Sequence, residues 1–236
     1  MSLGNSAKED IPGPREYRCL KRAAAEEVDN QRYDTDDFRL QCQFVLRMMG
    51  ELGMRGGEVV HLSEDWVNFE QNEIVIPSHD PCTKADDGGP CGYCKKRARS
   101  KEEHSEEISY ERALRDRWEP KNEAGNRTIW FGWNDELVEL IDEFLYRFNE
   151  YPHSRASVNR RITTIAEECD MVDPEDVYPH ALRAHAAKNL AKDGMRVFQL
   201  KEFFGWSDVG GAMDYVEMAS GDVKSELKRV YNIDRF

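Results

Sequence analysis

The chain has 236 residues, 39% of them hydrophobic, which is enough for one large domain or two small ones with a real core. Its 46 acidic and 33 basic residues leave a net charge of -13, which argues against binding nucleic acid through a generally basic surface. Neither a membrane span of roughly eighteen apolar residues nor a charged-then-apolar signal pattern occurs, so a cytoplasmic protein with no membrane partner is expected.

Dense carboxylates, with arginine outnumbering lysine, fit a halophilic protein, because molar salt screens their repulsion over a few ångströms. Such an average says little about a local basic site. Along the chain, "MSLGNSAKED" reads as a vector-derived tag, and residues 1–33 as a poorly ordered leader. Residues 34–236 are expected to form one folded domain.

The domain's first helix follows "YDTDD", where Asp34 or Thr35 can cap free amides and Phe38, Cys42, Val45, Met49 and Leu52 share a face. Gly53 ends it. "MRGGEVVHL" is a sharp turn into a short helix, and "WVNF" and "EIVIP" are strand-like runs around a polar turn. Residues 78–115 break this pattern as a Gly-, Cys- and charge-rich insertion, with one charged helix between Glu102 and Asp116. A second strand pair, "RWEPK" and "RTIWF", is joined by "NEAGN". The remainder reads as helices: stripes at Leu137 to Phe148 and Val158 to Cys169, then "PHALRAHAAKNLAKDG", "RVFQLKEFFG" and Asp222 to Val230. The fold class is therefore α+β, mostly α-helical, with a small antiparallel sheet.

The insertion carries His79-x-x-Cys82 and Cys91-x-x-Cys94, two pairs whose two-residue gaps let a tight turn aim both donors at one metal. Gly88, Gly89 and Gly92 supply backbone freedom. Three cysteines cannot pair off among themselves, so a structural zinc explains them better than disulfides. His104 is an alternative fourth ligand to His79. Cys19, Cys42 and Cys169 read as ordinary apolar residues.

Within "HALRAH", His180 and Arg183 lie three apart and share a helical face, so one turn presents a proton-transfer group beside a fixed cation. His185 points elsewhere and reads as a packing residue. "GMRGGEVVHL", "HALRAHAAKNLAKDG" and "FFGWSDVGGAMDYV" resemble, in order, the three signature segments of the tyrosine recombinase (phage integrase) family. Arg55 with Glu58 matches the first, His180 with Arg183 the second, and Trp206 with Tyr215, nine residues apart, the third. The resemblance covers roughly residues 35–230.

The resemblance implies an integrase-like catalytic domain that cleaves and rejoins DNA at specific sites through a 3′-phosphotyrosyl intermediate. Tyr215 would be the nucleophile, Arg55 and Arg183 would hold the non-bridging oxygens, and His180 would accept the proton. Trp206 would support the phosphate pocket. Lys121, at the end of "RWEPK", stands where the family has a lysine that protonates the leaving 5′-hydroxyl. No cofactor is needed for that chemistry. The implied partner is double-stranded DNA, gripped by a homotetramer whose free subunits are monomers. Ala184 departs from the family's frequent histidine after the second arginine, and the usual preceding helical domain finds no counterpart in the roughly 34 residues before the first helix. Two other functions fit part of the pattern: a type IB topoisomerase and a catalytically silent, zinc-containing DNA-binding regulator. Retention of all four reactive groups argues against the latter.

Overall fold

Helix α1 (Pro14–Arg22) starts at a proline, whose missing N–H costs nothing in a first turn, and passes into a π-helical turn at Ala23–Glu27. The computed structural model describes residues 10–29, 32, 34–85, 87–115 and 118–220. Residues 14–28, read from the sequence as part of a poorly ordered leader, hold this helix and the turn after it. Tyr17, Leu20, Ala24 and Val28 repeat at helical spacing and are buried in the main core, and the charged residues between them mask that stripe in a composition count. His185 is indeed a packing residue: it stacks on Tyr17 at 4.1 Å and its Nδ1 lies 2.6 Å from the carbonyl of Pro12.

Helix α2 (Thr35–Gly50) is capped by Asp34, whose carboxylate accepts from the amides of Asp36 and Asp37 at 3.1 and 3.2 Å. It is the central element, buried along most of its length. Helix α3 (Gly56–His61) follows, then strand β1 (Val67–Asn68) and strand β2 (Glu73–Ile76). Helices α4 (Gly92–His104) and α5 (Tyr110–Arg115) fill the insertion where a single charged helix was expected.

Strand β3 (Arg127–Trp130) pairs antiparallel with β2, setting Ile74 opposite Ile129 and Ile76 opposite Arg127. The two expected strand pairs are thus one three-stranded sheet, ordered β1-β2-β3. "RWEPK" forms no strand among the described residues; Trp118 makes only a bridge with Asp80. "EIVI" has more β-branched side chains to offer β3 and takes the pairing.

Helix α6 (Asp135–Phe148) begins at Asn134, which accepts from Leu137 N–H, and stacks Phe144 on Phe44 with ring centres 3.6 Å apart. Burying such a ring contributes roughly 1.5–3 kcal/mol. Helix α7 (Arg155–Glu167) closes the main core with Val158, Ile162 and Ile165. Cys19 and Cys169, read from sequence as plain apolar residues, form a disulfide that joins α1 to the end of this region across 150 positions.

Helices α8 (Pro179–Lys192), α9 (Val197–Phe204) and α10 (Gly210–Ala219) build a second, smaller core. Ala184, Ala186 and Ala187 on α8 keep its surface low, so that Phe204, Ala212 and Tyr215 can pack closely on it. The helix expected at Asp222 to Val230 lies outside the described residues. Among the described residues no helix is long and apolar enough to cross a membrane.

Candidate active site

Two glycines at helix ends supply the carbonyls that fix two arginines. Gly53, after α2, and Gly205, after α9, both have φ of +59°. A Cβ on Gly53 would meet the Phe204 ring at 2.1 Å, and one on Gly205 the Ala124 carbonyl at 2.5 Å. Only glycine serves at either position. Arg183 donates to the carbonyls of Gly53 and Phe204, and Arg55 donates to that of Gly205 at 2.8 Å.

Glu58 ties this group together. Its carboxylate accepts from Arg55 Nη1 at 2.9 Å and from the Arg55 amide at 2.8 Å, and receives both Nη atoms of Arg127 at 2.9 and 3.0 Å. Burial pushes its pKa up, but Arg127 foremost, then Arg55 and Arg183, outweigh burial and bring it from 4.5 to about 2. A depressed carboxylate stabilises the fold fully above its unfolded pKa and loses that contribution as pH falls through the folded one. The window here runs from about 4.5 down to about 2. The contribution is on the order of 3 kcal/mol. Glu58→Gln is therefore expected to lower the unfolding free energy at neutral pH and to flatten its pH dependence across that window. Urea unfolding of both proteins from pH 7 to 3 checks this; parallel pH curves would contradict it.

Arg55, Lys121, His180 and Arg183 line one cavity of about 490 Å³. They come from the start of α3, the connection before β3, and the first turns of α8. Arg155, at the start of α7, and Tyr93, on α4, also line it, the guanidinium lying 5.1 Å from the centre of the Tyr93 ring. Three guanidiniums act on the single buried carboxylate of Glu58. Lys121 and Arg155 add cations with no carboxylate partner among the described residues. The cavity thus holds a positive surplus inside a chain of net charge -13. Burial first, then the charges of Arg183, Lys121, Arg155 and Arg55, hold the His180 pKa below the ordinary 6.5. The imidazole is neutral at pH 7 and free to take a proton.

Tyr215 and Trp206 do not line that cavity. Their rings stack at 5.6 Å with 9° between planes, and Trp206 stacks in turn on Phe204 at 4.8 Å. The Trp206 indole packs the second core and approaches Arg183 from behind the cavity, the guanidinium carbon lying 5.8 Å from the ring centre. Tyr215 is 2% exposed. Burial raises its pKa above 10.0, with Arg183 opposing that shift, so the hydroxyl keeps its proton at neutral pH.

The cysteine cluster differs from its expected form in one ligand. His61, Cys82, Cys91 and Cys94 are all buried, with donor atoms within 4.8 Å of one another. His79 is not among them; it is half exposed and lies 3.7 Å from Glu119. His104 bonds instead to the Ser100 carbonyl at 2.7 Å. The reason is topological: His61 sits on α3, which packs beside the folded-back insertion, whereas His79 precedes the turn and faces outward.

His61 Nε2 stands 3.3, 3.8 and 3.5 Å from the sulfurs of Cys82, Cys91 and Cys94. A tetrahedral zinc with ordinary bond lengths separates nitrogen from sulfur by roughly 3.6 Å. The opposite nitrogen, Nδ1, lies 2.7 Å from the Gly57 carbonyl, which fixes the proton there and leaves the Nε2 lone pair for a metal. The Cys91 amide donates to the Cys82 sulfur at 3.3 Å, as suits a thiolate. These residues fit a zinc ion.

Sequence reasoning overlooked His61, Arg127, Arg155 and Tyr93. For His61 the available signal was a histidine ending an apolar helix, "GGEVVH", where no polar side chain is otherwise needed. The other three carried no local signal, because a strand's first arginine or a helix's first turn looks alike whether or not it faces a cavity.

A family model described as the phage integrase family matches residues 23–221. No curated protein matches the chain in sequence. Among solved structures, the fold is similar to that of the XerA recombinase, with 14% identity, a TM-score of 0.56, and coverage of 96% of this chain and 65% of that one. A Tn1549 transposon integrase in complex with circular intermediate DNA gives 17% identity and a TM-score of 0.62, covering 94% and 67%. The catalytic domain of bacteriophage HP1 integrase gives 17% and 0.50, covering 92% and 93%. The chain thus spans about two thirds of the first two proteins and nearly all of the third.

Proposed function

The chain belongs to the phage integrase family, and on that premise we propose that it is a site-specific tyrosine recombinase that cleaves and rejoins DNA through a 3′-phosphotyrosyl link. The observation that carries this reading is the convergence of Arg55, Lys121, His180 and Arg183 on one cavity, with the Tyr215 phenol within electrostatic reach of Arg183. The Tyr215 oxygen attacks the phosphorus and its proton passes to neutral His180. The P–O5′ bond breaks, and Lys121 protonates the departing oxygen. Arg55 and Arg183 hold the two non-bridging oxygens, where charge grows in the transition state. Because the phosphotyrosyl bond keeps the energy of the ester, a second 5′-hydroxyl can displace the tyrosine and rejoin the strands.

Four copies acting on double-stranded DNA fit this chemistry, in a cytoplasm whose molar salt suits the acidic surface. The direct test is a duplex carrying a nick that lets the cleaved end diffuse away. A protein–DNA band resistant to denaturant is expected; its absence at saturating protein would overturn the reading.

The acid step has its own test. Lys121→Ala is expected to slow cleavage of an ordinary phosphodiester by roughly 10²–10⁴-fold. Replacing the leaving oxygen with sulfur, whose thiolate departs without a proton, should largely restore the rate. Equal defects on both substrates would make Lys121 a mere turn residue.

The same reading includes one structural zinc, held by His61, Cys82, Cys91 and Cys94. The donor set of three sulfurs and one imidazole favours zinc over magnesium or calcium, which take oxygens. Protein purified without chelator should contain close to one equivalent; less than about half an equivalent would contradict this.

A further inference from the structure

Lys121 sits in the connection between β2 and β3, and that connection spans residues 77–126. In a tight hairpin the ladder itself would fix such a lysine. Here Lys121 lies outside the ladder, six residues before Arg127 and forty-five after Ile76, the last pair of β2 and β3. Something else must hold residues 118–121.

The contacts of that segment lead back to the cysteine cluster. Trp118 exchanges backbone hydrogen bonds of 2.9 and 3.1 Å with Asp80, two residues before Cys82. Its ring stacks on His61 with centres 5.2 Å apart and lies tilted by 38° against Trp66 at 4.9 Å. Glu119 is gripped by Arg97 at 2.9 Å and Lys101 at 2.5 Å, both on α4, which starts directly after Cys91 and contains Cys94. These pairs are partly buried, and they position Glu119 only as firmly as the helix bearing Arg97 and Lys101 is itself anchored. The anchor of α4 is the cluster: Cys91 and Cys94 at its first turn, facing His61 and Cys82.

The fourth donor makes the arrangement a bridge. His61 ends α3, and Arg55 caps the start of that same six-residue helix. One cluster therefore joins the helix that presents Arg55 to the segment that presents Lys121. His180, Arg183 and Tyr215 lie on α8 and α10, which contribute no donor to it.

We propose, resting on the recombinase reading above, that His61, Cys82, Cys91 and Cys94 are, with their metal in place, positioning residues for Lys121. Releasing the metal lets residues 118–126 drift and removes the proton donor, while the second core keeps its structure. Trp118 is the mechanical link, since it begins the lysine segment and its ring stacks on His61.

The experiment compares zinc-loaded chain, chelator-stripped chain and loaded Trp118→Leu. Amide hydrogen exchange is followed over residues 118–126 and over α8. Cleavage is measured on nicked duplexes with oxygen or sulfur as the leaving atom. Stripping is expected to remove protection at 118–126 but not in α8, to slow the oxygen substrate as much as Lys121→Ala does, and to spare the sulfur substrate. Unchanged exchange at 118–126, or equal slowing of both substrates, would overturn the proposal. Should stripping unfold α8 as well, Trp118→Leu decides: a selective loss on oxygen supports the link, and no loss or an equal loss refutes it. If the loaded wild-type chain forms no adduct with either duplex, the recombinase reading falls, and the exchange pattern alone still decides whether the cluster holds this segment.

Discussion

Tyr215→Phe is expected to abolish the covalent protein–DNA adduct while leaving the fold almost unchanged. The substitution removes one oxygen. The ring stays stacked on Trp206 and packed among Ala184, Leu200 and Ala212. No hydrogen bond of the hydroxyl is lost among the described residues, so the thermal midpoint should move by little, within a cost of about 1 kcal/mol. Chemistry, by contrast, loses the nucleophile proposed above. A denaturant-resistant band from the phenylalanine protein would show that another group attacks. Because Tyr215 packs on Trp206 and does not line the cavity, a shift of its helix, α10, is the expected step that presents its oxygen to a phosphate there. "GWSDVGG" supplies the means, with left-handed Gly205 and two glycines flanking a short turn before the tyrosine.

Arg55→Ala and Arg183→Ala should each slow single-turnover cleavage at saturating protein by at least 10²–10³-fold, the ordinary cost of losing one donor to developing charge. Their stability effects should differ. Arg183 is 7% exposed and donates to the carbonyls of Gly53 and Phe204, so its removal leaves two buried acceptors unpaired and destabilises the fold by several kcal/mol, at about 1–3 kcal/mol for each acceptor. Arg55 is more open, and Arg127 still neutralises Glu58 when it is gone. Arg183→Lys should fold better than Arg183→Ala yet remain slow, because an ammonium keeps the charge without the planar fork. Near-native cleavage by Arg183→Lys would mean that charge alone suffices.

Legibility of these features in the sequence followed how local their causes are. Helix α2, its cap at Asp34 and the stop near Gly53 depend on neighbours within a few positions, and the structure has all three. The two cavity groups His180 and Arg183 share a face by helical spacing alone. Partners chosen across the fold were not legible in the same way. β3 takes β2 as its neighbour from about fifty positions away, so "RWEPK" is left outside the sheet. His61 approaches Cys82 only after the insertion folds back over α3, and the nearer His79 was the natural choice on spacing. Helix α1 was missed because its stripe of Tyr17, Leu20 and Ala24 is short and flanked by charge. Arg127 stands on a strand end and gains its importance only from the buried carboxylate of Glu58 beneath it.

The central claim is that Tyr215 becomes the covalent link to DNA. The most direct measurement traps wild-type protein on a nicked duplex, digests both protein and DNA, and locates the residual nucleotide by peptide mass. The nucleotide is expected on the peptide containing Tyr215, joined through a 3′-phosphate. A nucleotide on any other residue, or no modified peptide from protein that binds the duplex, would contradict it.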